Sequence, residues 1–185
     1  MKRITAILAA LALALPWNAM SQEASGSRKA VATSTDICVV ALPVATLAGV
    51  LIAKDWKGLA EGAITAGATA AATLILKYSI KELRPDGSNT HSFPSGHTSV
   101  SFATATFLQK RYGWKFGVPA YALAGYVAWG RVFARKHHWW DAAAGALIGA
   151  GCAFVFTTPF ARDHELSITP MADCCYTGVS AQITF

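Results

Sequence analysis

Five apolar segments, each long enough to form a helix, occupy most of the chain between residues 37 and 160 and constrain its fold more than any other feature. They cover residues 37–53, 59–80, 98–108, 118–133 and 142–160. Small residues are frequent in them, as they are where membrane helices pack closely. Apolar residues make up 54% of the 185 residues and charged residues only 14%, which excludes a disordered or highly charged chain. The sequence therefore predicts an all-α, membrane-embedded bundle of about five core helices in one domain.

The third segment is the least apolar. Ser99, Ser101, Thr104 and Thr106 interrupt it. A helix of this composition is stable in a membrane protein when its hydroxyl groups face other helices. We therefore predict that this segment is buried among the other four.

The two ends of the chain differ from the middle. Two basic residues, an apolar stretch over 4–17 and small residues at Ala19 and Ser21 follow the layout of a secretory signal. We predict that residues 1–21 are a signal peptide, with an uncleaved signal anchor, and hence a sixth helix, as the alternative. Residues 22–185 then form the single domain. A polar stretch, 21–36, precedes its first apolar segment, and a polar tail begins at about residue 162 and ends with strand-like alternation.

The net charge of +6 is distributed in small clusters between the apolar segments. This excludes the continuous basic stripe of a nucleic-acid-binding protein. With residue 22 outside the membrane, the loops around residues 54–57 and 110–115 lie inside and carry the expected positive charges. Six further cations then lie outside, against that rule: Lys77, Lys81, Arg84, Arg131, Arg135 and Lys136. These cations need an explanation other than topology.

The first group of outward polar residues is Lys77 with Arg84 and Pro85. Seven residues are close to two helical turns, so we predict that Lys77 and Arg84 share a face of a helix that Pro85 ends. Alternatively, both side chains only extend to water at the membrane surface.

The second group is Pro94-Ser95-Gly96-His97, directly before the third apolar segment. Ser95 fits the N-cap of a helix, and Gly96 permits a close approach to the backbone. The free N–H groups of a helix start favour a bound anion, which would lie beside His97. The alternative is an ordinary serine cap next to a solvated histidine.

The third group is Gly130-Arg131, followed by His137 and Asp141. On a helix, residues four apart are neighbours, and a carboxylate that orients one imidazole nitrogen leaves the other free as a nucleophile or base. The alternative is that Asp141 only caps the fifth helix. Arg131 is six residues from His137, so it must reach the same pocket from a bend or loop.

Taken together, the three groups resemble the signature of the type 2 phosphatidic acid phosphatase family. That signature is Lys, six residues, Arg-Pro; then Pro-Ser-Gly-His; then Ser-Arg, five residues, His, three residues, Asp. The matching positions run from Lys77 to Asp141. The one departure is Gly130, where the family usually has serine.

The resemblance implies that His137 is the nucleophile, that Asp141 orients it, and that His97 protonates the leaving group and then activates water. Phosphate would be bound by Lys77, Arg84, Arg131 and the helix start at Ser95 and Gly96, with neither a metal nor a cofactor. It also implies a lipid phosphate substrate, together with membrane lipids as partners and no nucleic acid. The protein would be a multi-pass protein of the bacterial cytoplasmic (inner) membrane with its active site facing the periplasm.

Several alternatives stay open at this point. The substrate could be undecaprenyl diphosphate, lipid A or a phospholipid phosphate. The phosphoryl group could pass to a lipid acceptor instead of water. The chain could also be a secreted acid phosphatase or a vanadate-binding haloperoxidase, which share the family's site, or a membrane protein without catalytic activity.

Overall fold

The computed structural model describes residues 2–160, 166–173 and 176–183, with side-chain contacts for residues 25–160. In this part of the chain there are five helices followed by one antiparallel hairpin. The elements are α1 (Lys2–Ile52), α2 (Trp56–Ser79), α3 (Gly96–Tyr112), α4 (Trp114–Phe133), α5 (Trp139–Phe156), β1 (Leu166–Asp173) and β2 (Tyr176–Ile183). Each predicted apolar segment forms one helix, so the predicted helical bundle is confirmed. The strand-like tail forms the hairpin, in which Leu166 pairs with Ile183.

Helix α1 is 51 residues long and continues through the polar stretch that precedes the first apolar segment. The hydroxyls of Ser34 and Thr35 donate hydrogen bonds to carbonyls one turn earlier, at 2.9 and 2.8 Å, so the helix satisfies them itself. Thr35 is also fully buried. The side chains of the predicted signal segment, 1–21, lie outside the described residues, and its cleavage stays a prediction.

Helix α3 lies at the centre of the bundle and contacts all four other helices. Ser99, Ser101 and Thr106 are buried, as predicted, whereas Thr104 is only partly buried and donates to the Val100 carbonyl of its own helix at 2.9 Å. Helix α5 packs against α3 through two glycines: a Cβ on Gly145 would lie 2.5 Å from the Ser95 carbonyl oxygen, and one on Gly149 would overlap that of Ser99. Small residues thus bring the two backbones together.

Three helical stretches in the described part of the chain are long and apolar enough to cross a membrane. They are Ser25–Ile52, Trp56–Ser79 and Trp139–Phe156. Large apolar side chains, such as Ile75, Leu147 and Val155, point away from the bundle and are more than 60% exposed. This arrangement fits a lipid environment, in which the outer surface of the bundle is apolar.

One end of the bundle is closed by a buried ion pair. Arg111, at the end of α3, binds Asp55 before α2 through two hydrogen bonds of 2.5 and 2.7 Å. Both side chains are at most 3% exposed. The sequence places Arg111 among the charges of an inner loop, but its charge is compensated inside the protein. Burial raises the pKa of Asp55, yet the hydrogen bonds from Arg111, Gly58 and Tyr112 outweigh it and lower that pKa to about 2.

Candidate active site

The predicted site residues lie together at the other end of the bundle. Here α2 and α4 end and α3 and α5 begin, joined by the loops 80–95 and 134–138. Backbone hydrogen bonds connect the two loops to the helices: the Ser95 N–H donates to the Asp141 carbonyl at 3.0 Å, and the His137 N–H to that of Arg131 at 3.3 Å. Motifs far apart in sequence are therefore held in one place by the backbone.

His137 and Asp141 form the buried centre of this site, with exposures of 2% and 0%. The Nδ1 atom of His137 lies 3.6 Å from Oδ2 of Asp141. His137 does not lie on the helix: α5 begins at Trp139, and His137 belongs to the preceding loop. The two side chains are therefore neighbours, as predicted. A turn before the helix brings them together, and not a spacing of four residues along a helix.

Asp141 has two structural tasks. Its Oδ2 accepts hydrogen bonds from the Ser92 hydroxyl at 2.5 Å and from the His138 N–H at 2.8 Å, which caps α5. Asp141 therefore caps the fifth helix, and its carboxylate also faces His137, although the Nδ1 atom of His137 has no hydrogen-bond partner. Its role in orienting His137 stays a prediction. The structure adds Ser92, a fully buried residue that the motifs do not include.

The start of α3 presents the second motif. Ser95 is the N-cap residue, as predicted, although its hydroxyl accepts from Thr98 instead of capping the backbone. The first helical hydrogen bond runs from the Ser99 N–H to the Ser95 carbonyl, so the N–H groups of Gly96 and His97 have no partner within the helix. A Cβ on Gly96 would meet only Thr73, at 3.8 Å. Packing alone therefore does not require glycine there, which is consistent with a ligand approaching the backbone.

The first motif is not on a shared helix, so that prediction is wrong. Helix α2 ends at Ser79, Ile80 is extended, and the Ser92 N–H binds the carbonyl of Glu82 at 2.9 Å. The helix therefore ends before Pro85, and the residues between Ile80 and Pro85 belong to a loop. Lys77 stays in the last turn of α2 and donates to the His91 carbonyl at 3.2 Å, whereas Arg84 reaches the site from the loop.

Arg131 lies in the last turn of α4 and is only 6% exposed. The prediction that Arg131 itself lies on a bend or loop is therefore wrong, because the bend follows it and carries His137. The N–H groups of Lys136 and His137 both turn back to the Arg131 carbonyl, and Arg135 adopts a left-handed φ of 56°. The bend brings His137 to the same end of the bundle as Arg131.

The electrostatic environment of His137 is strongly positive. Burial lowers its pKa, and the charges of Arg84, Lys77 and Arg131 lower it further, which outweighs the opposing effect of Asp141. The three predicted cations therefore all act on the same imidazole. At neutral pH this imidazole is uncharged, the state that a nucleophile requires.

Like Ser92, a further residue of the site lies outside the three motifs. Asp36, on α1, binds the Nη1 atom of Arg131 at 2.6 Å and the Nε2 atom of His97 at 2.9 Å, both through Oδ1. In the sequence it is only the last residue of a polar stretch. Long-range packing of α1 against α4 brings it to the site, and spacing along the chain gives no indication of such packing.

One group of residues in the described part of the chain has the composition of a metal site. The ligand atoms of Glu82, His138 and Asp141 lie within 4.8 Å of one another. Both carboxylates already accept hydrogen bonds, Glu82 from the Trp140 indole at 2.6 Å and Asp141 from Ser92 and His138. One oxygen of each carboxylate is therefore bonded to protein donors, whereas Oδ1 of Asp141 has no hydrogen-bond partner.

Comparisons with known proteins identify relatives of this chain. The sequence model of the PAP2 superfamily matches residues 58–164. A lipid A 1-phosphatase of Porphyromonas gingivalis is 34% identical over 106 residues, and a lipid A 4'-phosphatase of Helicobacter pylori is 31% identical over 121 residues. These alignments cover 55% and 60% of this chain, and 22% and 61% of those two proteins. The chain thus matches only part of each relative.

Two crystal structures share the fold. The first, LpxE of Aquifex aeolicus, has a TM-score of 0.55 at 21% identity, covering 65% of this chain and 83% of that one. The second is a transmembrane PAP2-type phosphatidylglycerolphosphate phosphatase of Bacillus subtilis, with a TM-score of 0.57 at 23% identity. It covers 81% of this chain and 89% of the other. The helical bundle is therefore a known membrane-protein fold.

Proposed function

Because this chain belongs to the PAP2 superfamily, we propose that it is a phosphatase that removes phosphate from a membrane lipid. The observation that carries the proposal is the buried His137–Asp141 pair with three cations acting on His137. One of these cations, Arg131, shares the Oδ1 atom of Asp36 with His97. A phosphate monoester brings up to about two negative charges at neutral pH. Lys77, Arg84 and Arg131 supply three positive charges at one end of the bundle, together with the free N–H groups at the start of α3.

In the first step, the Nε2 lone pair of His137 attacks phosphorus and the bond from phosphorus to the leaving oxygen breaks. His97 donates a proton to that oxygen, and a phosphohistidine forms. Asp141 faces Nδ1 and so leaves Nε2 for the reaction. In the second step, His97 accepts a proton from water, the water oxygen attacks phosphorus, and His137 leaves as the free imidazole with release of phosphate.

The cations supply most of the expected rate enhancement. Charge in the transition state of phosphoryl transfer is spread over the equatorial oxygens, and a single well-placed arginine is worth about 10³–10⁵ in rate in other enzymes of this type. Arg131 and Lys77 are partly or fully buried, which strengthens their interaction with an anion relative to water.

The position of the site supports a lipid substrate in the periplasmic leaflet of the inner membrane. Exposed aromatic side chains, Tyr78, Trp139 and Trp140, surround the site end, as they do at a membrane interface. The opposite end carries exposed Lys54, Lys57 and Lys115, which the positive-inside rule places in the cytoplasm. We therefore propose that the site lies on the periplasmic side of the inner membrane. We also propose lipid A as the first substrate to test, because two relatives are named as lipid A phosphatases.

Phosphate release from purified protein in detergent tests the proposal. The panel comprises lipid A, undecaprenyl diphosphate, phosphatidylglycerol phosphate and a soluble phosphate ester. We expect release from at least one lipid and preference for lipids over the soluble ester. His137→Ala and His97→Ala should abolish release, whereas His91→Ala, a change in the neighbouring loop, should retain it. Normal turnover by either of the first two variants would overturn the mechanism.

A further inference from the structure

Asp36 contacts two groups that bind or protonate the substrate in the proposed function. Its Oδ1 atom lies 2.6 Å from Nη1 of Arg131 and 2.9 Å from Nε2 of His97. A phosphoryl oxygen bound by Nη1 of Arg131, with a leaving oxygen bound by Nε2 of His97, would need the position that Oδ1 of Asp36 occupies. At these distances the carboxylate oxygen and a phosphate oxygen exclude each other.

Close packing of α1 against α4 holds Asp36 in this position. Thr35, its neighbour on α1, is fully buried against Gly130 of α4. A Cβ on Gly130 would lie 2.5 Å from the Thr35 methyl group and 3.0 Å from that of Val31. Gly130 is also the one signature position at which this chain departs from the usual serine. The departure thus removes the atom that would keep α1, and with it Asp36, away from Arg131.

Asp36 is exposed enough for a substrate phosphate to displace it. Its side chain is 55% exposed, whereas that of Arg131 is only 7% exposed. Both contacts use one oxygen of a short side chain, so a change of rotamer releases Arg131 and His97 together. The cations and the imidazole then remain in place for a phosphate.

We propose that Asp36 is a built-in competitor for the phosphate site: its carboxylate occupies the position of a phosphoryl oxygen in the free protein, and substrate phosphate displaces it. This inference rests on the proposed function. It makes Asp36 a determinant of affinity that acts before the chemical steps. It also explains why a carboxylate lies within an anion site, where it would otherwise weaken substrate binding.

The first experiment measures binding of inorganic phosphate to the full chain in detergent by calorimetry. Asp36→Asn removes the competing charge and should tighten the dissociation constant by about three- to tenfold. This is less than the full value of a charge-assisted hydrogen bond because Asp36 is half exposed. Asp86→Asn is the matched control. It makes the same change in a carboxylate on the same side, which pairs with Lys136 at 2.8 Å, and should leave the constant unchanged.

A second variant separates displacement from simple charge removal. Gly130→Ala keeps the charge of Asp36 but pushes α1 away from α4, so it should also tighten phosphate binding. In the double variant Gly130→Ala/Asp36→Asn the two effects should not add, because both remove the same contact. Full additivity would overturn the inference, since it would mean that Asp36 acts only through its distant charge.

The remaining outcomes distinguish the inference from the proposed function. If the wild-type protein binds phosphate and Asp36→Asn binds it equally or more weakly, the inference is wrong and the proposed function stands. If the wild-type protein neither binds phosphate nor releases it from any lipid of the panel, the proposed function is wrong and the inference falls with it.

Discussion

The Nδ1 atom of His137 lies 3.6 Å from Oδ2 of Asp141, although only Asp141 belongs to a helix. The chain turns between Arg131 and His138, and the hydrogen bond from the His138 N–H to Asp141 fixes the end of that turn. The carboxylate that starts α5 therefore also determines where the imidazole lies. Folding of the helix start and assembly of the proposed nucleophile depend on the same side chain.

We predict that Asp141→Asn lowers kcat by about 100-fold or more. The loss is in the range of one general acid–base or orienting group, because the neutral amide no longer stabilises a positive charge on His137. Asparagine keeps an oxygen that can accept the His138 N–H, so the cap of α5 and the thermal stability should change little. Steady-state phosphate release and a melting curve on the same preparation check both parts. A kcat within threefold of wild type would contradict the prediction.

Ser92→Ala is the matched control for this variant. It removes the 2.5 Å hydrogen bond to the same oxygen but keeps the charge of Asp141. We expect a smaller loss of activity than for Asp141→Asn. An equal loss would show that the hydrogen bond to Ser92, and not the charge of Asp141, supports His137.

We also predict that acid destabilises the protein through His137. Burial and the three nearby cations lower the pKa of His137 in the folded state, whereas the unfolded chain binds the proton at about pH 6.5. As the pH falls below about 6.5, the unfolded state takes up a proton that the folded state does not. The free energy of unfolding then falls by up to about 1.4 kcal/mol per pH unit until the folded pKa is reached.

Melting temperatures in detergent between pH 7 and pH 5 measure this effect. His137→Asn should lose less stability on acidification than wild type, while His91→Asn should follow the wild-type curve. Parallel curves for His137→Asn and wild type would show that His137 titrates normally in the folded protein.

The apolar segments predict all five helices, but the loops at the site depend on contacts that sequence spacing does not contain. Helix α2 ends at Ser79, and the Glu82 carbonyl of the following loop accepts a hydrogen bond from the Ser92 N–H, so Arg84 lies on a loop. The residues of the three motifs were predictable because their chemical types and order are those of a phosphate site. Asp36 was not, because its position depends on α1 packing against Gly130, far along the chain.

We predict that Lys77→Ala lowers kcat/KM by about tenfold to a hundredfold. This is the range expected for one charge-assisted hydrogen bond to a phosphoryl oxygen, about 1.5–3 kcal/mol. In the free protein the Lys77 ammonium donates to the His91 carbonyl at 3.2 Å, so it is already held at the site. Lys81→Ala removes an exposed cation on the same side and should leave kcat/KM unchanged. Equal effects of the two changes would exclude Lys77 from phosphate binding.

Packing of α5 against α3 gives a prediction that involves no catalytic group. A Cβ on Gly149 would overlap the Ser99 carbonyl, and backbone atoms cannot move aside as a flexible side chain can. Gly149→Ala should therefore destabilise the protein by about 1–3 kcal/mol, the usual cost of an overpacked core.

Gly151 lies on the same helix, and a Cβ there would meet no atom within 4 Å. Gly151→Ala should be neutral or slightly stabilising, because alanine favours a helix over glycine by about 1 kcal/mol. Thermal unfolding of both variants in one detergent checks this, and equal melting temperatures would show that the two helices are not in close contact at Gly149.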